Sequence, residues 1–202
     1  MPDMQELTVI EAETLADAFP ARCRSPALRG GTDVMRRLHP AYRTPHFTVH
    51  VDGQVVSIPA RLYFASEQTN LPEDDEAWLF ARTLQTRSCD GFERQRAVRD
   101  LLAHLQPWGT PFVADLIGQY VIEILDEILA AMTPDMARMI AVFAAENPAY
   151  WAEIKQRAVS YWNAYYRHPS SENRGRAYRR AQYVGFLLID RIERGEPGLS
   201  SA

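Results

Sequence analysis

Three prolines in the second half of the chain each directly follow a residue that favours a helix N-terminus. These are the pairs Thr110-Pro111, Thr133-Pro134 and Asn147-Pro148. Threonine and asparagine accept hydrogen bonds from the free N–H groups of a first helical turn, and proline is tolerated there but not in a helix interior. The pairs therefore predict three helix starts with short links before them, a pattern typical of an antiparallel helical bundle.

Helical signals extend from about residue 73 to residue 195. Asp90 and Glu93 form a box that adds another helix start. The apolar residues of 111–132 form two adjacent rows, a stripe too wide for a surface helix, so this segment is predicted to be the central helix. Gly195 is predicted to cap the last helix. The six predicted helices are about 76–88, 91–106, 111–132, 134–146, 148–167 and 172–194.

The clearest β signal lies in the N-terminal third. Phe47, Val49 and Val51 alternate with polar residues, Asp52-Gly53 is typical of a type I′ turn, and an apolar run follows. These residues predict a β-hairpin over 47–58, with Pro59 interrupting the ladder. Because a lone hairpin is marginal in water, it must pack on helices, or gain a third strand from 61–64 or from a partner.

The residues around the hairpin predict short helices and loops. Thr8 and Glu11 form a capping-box pattern that predicts a helix to about Phe19. The Gly30-Gly31 pair lacks the spacing of a phosphate-binding loop and is interpreted as a turn before a short helix that ends near Leu38.

The fold class is therefore mainly α (α+β), an antiparallel helical bundle with a small hairpin. An acidic, turn-rich stretch over 68–76 suggests a boundary. The predicted organisation is an N-terminal segment 1–66, a helical domain 67–195 and a flexible tail 196–202, together forming one compact unit. The acids at 73–76 suit the first turn of a helix, where they complement its dipole.

Composition predicts a cytoplasmic protein that does not span a membrane. The first twenty residues hold five acids and no Lys or Arg, unlike a secretory signal, and the longest apolar segment carries four carboxylates. Cys23 and Cys89 lie far apart and are expected to be reduced thiols. Lys155 is the single lysine among 22 basic residues, which favours a GC-rich bacterial genome. The net charge of −4 gives no overall attraction to nucleic acid.

Histidines and cysteines give no convincing site. His46 and His50 share a strand face about 13 Å apart, too far to bind one metal ion without a third element. Asp100 and His104 lie one helical turn apart, but their segment resembles a solvated helix face that also includes Glu93. Cys89 precedes a helix without a histidine tied to it, so it is interpreted as structural.

Carboxylates on the central helix are candidate ligands of a di-iron centre. Glu123, Asp126 and Glu127 cluster there, yet the sequence has no ExxH motif to complete such a centre. Pairing with arginines of neighbouring helices is the preferred interpretation. The sequence thus predicts no catalytic residues, no metal and no cofactor.

The leading functional hypothesis is a non-catalytic protein-protein interaction or accessory protein that binds a protein partner or self-associates. One alternative is nucleic-acid binding, because the segment 155–180 has seven bases against one acid. A second alternative is an enzyme with dispersed active-site residues. In helix 172–194, Ala177, Ala181, Val184, Leu188 and Ile192 are expected to face the core, with the arginines on another face. The predicted partner or nucleic-acid surface comprises Trp162, Tyr166, Arg167, Arg176, Arg179, Arg180 and Tyr183.

Overall fold

The computed structural model describes residues 8–40, 43–66, 68–169, 175 and 177–194. The protein is mainly helical, with small antiparallel β elements near its N-terminus, so the predicted fold class is confirmed. The chain forms two compact units, Met1–Gly109 and Thr110–Ala202. The boundary at 66–67 and the single compact unit expected from the sequence stay predictions, although the helices on either side of that boundary pack against each other within the first unit.

The N-terminal unit combines four helices and four short strands among its described residues. Their bounds are β1 Thr8–Val9, α1 Ala12–Ala16, α2 Arg24–Arg37, β2 Arg43–Thr44, β3 His46–Val51, β4 Gln54–Pro59, α3 Glu76–Gln85 and α4 Gly91–Ala103. Helix α2 packs on both α1 and α3, and α3 packs on α4.

The predicted hairpin is confirmed. Strands β3 and β4 pair antiparallel, with Val49 opposite Val56, and Asp52 and Gly53 both have positive φ (52° and 75°), as a type I′ turn requires. The hairpin gains no third strand from 61–64, where Leu62 instead pairs with Ser88. It packs on helix α1, which is the first of the predicted alternatives, and buries the valines and isoleucine of one face.

Replacing Gly53 with valine should open this hairpin selectively. A β-branched residue at φ 75° costs about 1–2 kcal/mol because its Cβ meets the neighbouring carbonyl oxygen. We expect faster amide exchange and faster proteolysis over 40–65 in Gly53→Val than in Gly53→Asn, since asparagine tolerates positive φ. Equal protection of that segment in the two variants would contradict the turn assignment.

Two other expectations for this region are wrong. Thr8 and Val9 form a strand paired with Thr44 and Arg43, so the predicted capping box does not form. The glycine pair lies inside helix α2 and not in a turn. A Cβ on Gly30 would lie 2.8 Å from the Ala77 carbonyl oxygen, and a Cβ on Gly31 would lie 2.9 Å from that of Ala12. The glycines therefore allow α2 to approach α1 and α3 closely.

The C-terminal unit is a group of five helices among its described residues. Their bounds are α5 Thr110–Ile117, α6 Ile122–Ala131, α7 Pro134–Glu146, α8 Pro148–Tyr161 and α9 Val184–Arg194. The starts predicted for α7 and α8 are confirmed, and the Thr133 hydroxyl accepts a hydrogen bond from the Met136 N–H at 3.2 Å. Helix α5 contacts the other four helices and all its residues are buried, as expected for a central helix.

The predicted central helix is nevertheless broken after Ile117, which corrects the expectation of one helix over 111–132. Gly118 stands at the break, and the Tyr120 carbonyl accepts a hydrogen bond from the Tyr166 hydroxyl instead of an intrahelical N–H. Val121 is extended and becomes the N-cap of α6. Glycine has a low helix propensity, and the tyrosine offers the backbone another partner.

The last predicted helix is also too long. Helix α9 begins at Val184 and not near 172, because Tyr183 is extended (φ −72°, ψ 123°) and a single 3-10 turn precedes it. Ala177 and Ala181 are exposed, so their expected core positions are wrong, whereas Val184, Leu188 and Ile192 are buried as predicted. The predicted helix residues 172–174 and 176, the Gly195 cap and the tail 196–202 lie outside the described residues.

Within the described ranges, no single helix has the length and apolarity to cross a membrane. One bent pair, α6 with α7, meets the length and composition requirement together, at an angle of 116°.

Candidate functional site

The predicted C-terminal surface is only partly exposed. Tyr166 is 7% exposed and Tyr183 is 0% exposed, so their assignment to a partner surface is wrong. A π-helical turn over 162–166 ends α8 and brings Tyr166 against Tyr183, with ring centroids 5.5 Å apart. Burial raises the pKa of the Tyr183 phenol well above its ordinary value, so the ring is a neutral core residue.

The remaining residues of that surface do not converge on one site. Arg167 lies 5.8 Å from the Trp162 ring centroid, and Trp162 itself donates to the Tyr178 carbonyl. Arg179 and Arg180 are exposed beside the 3-10 turn, and Arg176 lies outside the described residues. Because the helix that was to align these arginines is absent there, the continuous basic ridge expected from the sequence does not form over the described residues.

Two basic residues of the segment 155–180 make ion pairs with carboxylates of the C-terminal unit. The Lys155 ammonium lies 2.7 Å from a carboxylate oxygen of Glu193, and Arg157 lies 2.9 Å from Asp115. Arg157 therefore pairs with a carboxylate on α5 that was not among the predicted partners. Asp115 is buried and also accepts hydrogen bonds from the Tyr150 hydroxyl and the Gln119 amide.

The N-terminal unit contains a buried polar network that was not predicted. Arg37 donates to Asp33 at 2.9 Å, and the Gln85 amide bridges Arg82 (2.7 Å) and Glu93 (3.2 Å). Glu93 is 6% exposed, so its expected place on a solvated face is wrong. The network joins α2, α3 and α4, and its groups hydrogen-bond to each other, so we assign it to folding.

A polar cleft of about 410 Å³ borders this network. Two ion pairs match four of its charged side chains, Arg82 with Asp100 at 2.6 Å and Arg96 with Glu93 at 2.6 Å. Glu73 also lines the cleft, and it makes no ion pair among the described residues. His104 is exposed, as expected for a surface residue, whereas Asp100 is only 34% exposed and is paired with Arg82.

A second groove, of about 570 Å³, has a rigid aromatic floor. The rings of Phe80 and Trp108 stack with centroids 4.3 Å apart, and Phe19 meets both edge-on at 4.9 and 5.5 Å. Phe80 and Trp108 are buried, while Trp78 is half-buried in the groove wall. Stacked and edge-to-face arrangements of this kind are the preferred geometries of aromatic pairs.

The rim of this aromatic groove is strongly acidic. Its carboxylates are Glu73, Asp74, Asp75 and Glu76. Asp75 caps α3 through the Ala77 N–H and binds Arg29 at 2.8 Å, and these contacts hold the pKa of its carboxyl below the usual value. Among the described residues, none makes an ion pair with the other three acids.

The cationic groups at the groove do not offset that charge. Arg22 pairs with Asp52 on the hairpin turn, and His104 is the other basic side chain in the lining. Cys23 also lines the groove, and burial raises the pKa of its thiol, which favours the protonated form. Within the described ranges no group of three metal-binding side chains is close enough to hold an ion.

Only part of this groove could be predicted from the sequence. The acids at 73–76 are expected in the first turn of a helix, but only Glu76 lies there, and Asp75 is the N-cap of α3. Trp78 and Trp108 come from α3 and from a short turn thirty residues later, and only the packing of α3 and α4 brings them to one surface. No periodic pattern links such residues before the fold is known.

Comparison with protein-family models, curated proteins and solved structures finds no match to this chain.

Proposed function

We propose that this is a non-catalytic interaction protein that docks a basic segment of a partner protein in the aromatic groove. One observation carries the proposal, the combination of a stacked aromatic floor with three rim carboxylates that have no ion pair among the described residues. Aromatic faces and carboxylates both attract cations, so the groove fits guanidinium and ammonium groups.

The dimensions support a segment and not a folded domain. A volume of about 570 Å³ lies within the range of about 300–1,000 Å³ found for sites that take small molecules or a few side chains. The half-buried Trp78 offers an aromatic wall to a side chain that enters between it and the rim. Rim carboxylates attract the basic segment, and the apolar floor receives its methylene stems.

The cellular setting is part of the same proposal. We place the protein in the cytoplasm of a bacterium. The use of arginine for all but one of the 22 basic residues supports a bacterial source, and the free thiols of Cys23 and Cys89 support the cytoplasm.

Selection from a random displayed-peptide library should test the proposed docking. We expect the wild-type protein to enrich sequences rich in arginine or lysine with interspersed apolar residues. The variant Glu73→Gln/Asp74→Asn/Glu76→Gln should lose that enrichment. Library selection without basic enrichment, or with the same enrichment in the triple variant, would contradict the proposal.

Affinities of the selected peptide should then separate groove binding from general charge attraction. Loss of three rim charges, at about 0.5 kcal/mol each, should weaken binding by about tenfold. The control Glu11→Gln/Glu13→Gln/Asp135→Asn removes the same charge from exposed positions outside the groove and should change the affinity by less than about twofold. Equal losses in the two triple variants would show attraction to net charge alone.

A further inference from the structure

The C-terminal unit has a groove of its own, of about 490 Å³, that runs along helix α9 and is called the α9 groove below. Phe186, Leu187 and Ile189 form its apolar middle, and Leu187 is 39% exposed. Arg180 stands at one end, with its guanidinium carbon 4.6 Å from the Phe186 ring centroid. Asp190 and Glu193 stand at the other end. The groove therefore has a positive end, an apolar centre and a negative end.

This order of charges is complementary to itself. In a twofold-symmetric interface the same patch meets its own copy, so a contact from one residue to another is made twice. The Arg180 guanidinium lies over the Phe186 ring. Asp190 lies one helical turn, about 6 Å, beyond Phe186 on α9. A twofold axis near Phe186 and Leu187 would bring the Arg180 of each copy to the Asp190 of the other and the two apolar centres together.

We infer that a second copy of this chain occupies the α9 groove, pairing the two α9 helices antiparallel. Arg180 makes no ion pair among the described residues, and Asp190 has only an exposed pair with Arg194 on its own helix. Exposed pairs of that kind contribute little, so Asp190 is free to exchange its partner at low cost. The inference is independent of the basic segment proposed for the N-terminal unit.

Self-association through this surface should be weak. Helix α9 has 11 residues, and one face of such a helix covers less than the about 800 Å² per partner of a standard interface. We therefore expect a dissociation constant of roughly 10–100 μM, measurable by sedimentation up to about 300 μM protein.

Charge reversal tests the pairing directly. Arg180→Glu and Asp190→Arg should each weaken self-association by about tenfold or more, because each variant creates two like-charge contacts across the interface. An equimolar mixture of the two variants should regain wild-type association to within about threefold, because both contacts are then between opposite charges. Leu187→Asp should also abolish association, through the apolar centre.

The controls use an exposed ion pair elsewhere in the same unit. Arg138→Glu and Asp135→Arg reverse charges on α7 outside the groove and should leave association unchanged. Monomeric wild-type protein at the highest concentration would overturn the inference. So would association that Arg180→Glu and Asp190→Arg do not weaken, or a mixture that is no better than either variant.

Discussion

Gly30→Ala is expected to lower the free energy of unfolding of the N-terminal unit by about 3 kcal/mol. The added methyl group would lie 2.8 Å from the Ala77 carbonyl oxygen and 2.9 Å from the Ala81 nitrogen, which are backbone atoms of α3. Backbone cannot rotate away, so α2 and α3 must separate and lose contacts along their length. This loss exceeds the gain of about 1 kcal/mol in helix propensity that alanine brings. Urea unfolding measures the change.

Gly91→Ala is the matched control for this prediction. Gly91 is the first residue of α4 in the same unit, and a Cβ there would meet only the Arg94 side chain, at an ordinary van der Waals distance of 3.8 Å. We expect unchanged or slightly higher stability in Gly91→Ala. If Gly30→Ala behaved like Gly91→Ala, the close approach of α2 to α3 would be wrong.

Asp115→Ala should destabilise the C-terminal unit by about 3 kcal/mol. The carboxylate is 3% exposed and accepts from Arg157 (2.9 Å), the Tyr150 hydroxyl (2.8 Å) and the Gln119 amide (3.0 Å). Removing it leaves three donors without this acceptor and a guanidinium that is 30% exposed without its main partner. The partial exposure of Arg157 keeps the loss at the lower end of the range for broken buried pairs. Thermal and urea unfolding report it.

Two further variants define the cause of that loss. Asp135→Ala breaks the exposed pair with Arg138 and should change stability by less than about 0.5 kcal/mol. Replacing both members of the buried pair, in Asp115→Leu/Arg157→Leu, should recover part of the stability lost in Asp115→Ala, because no charge is then left without its partner. A double variant less stable than the single variant would show that the pair itself contributes a net stabilisation.

Local signals predicted the parts of the fold that depend on local chemistry. The Asp52-Gly53 turn sets the hairpin register because its positive φ values match the twist of the strands. Thr133 and Asp90 cap helices through hydrogen bonds that need only the next two or three residues. Pro134 and Pro148 stand at first helical positions as expected.

Errors arose where a distant residue decides the local structure. Gly30 is typical of a turn by itself, and only the approach of α3 explains its place inside a helix. The break after Ile117 depends on Tyr166, whose hydroxyl donates to the carbonyl of Tyr120, 46 residues earlier in the chain. Tertiary contacts of this kind override helix propensity, and a single sequence does not reveal them.

The candidate site was harder to predict than the fold for the same reason. The arginine-rich segment predicts a basic ridge, but only a helix would align its arginines on one face. Helix α9 begins after Arg179 and Arg180, so these two are not aligned by it. Phe80 resembles any core aromatic residue in the sequence. Its role as groove floor follows from stacking on Trp108, which lies on another element.

The ion pair between Lys155 and Glu193 has a consequence for covalent chemistry. Lys155 is the one lysine of the chain, so its ammonium is the only side-chain amine that acylating reagents can modify. The Lys155 side chain is 42% exposed, and its ammonium lies 2.7 Å from the Glu193 carboxylate, which lines the α9 groove. A fluorophore attached there would occupy a single defined position at the groove wall. A molecule bound in the α9 groove that covers Lys155 would slow the acylation of this amine.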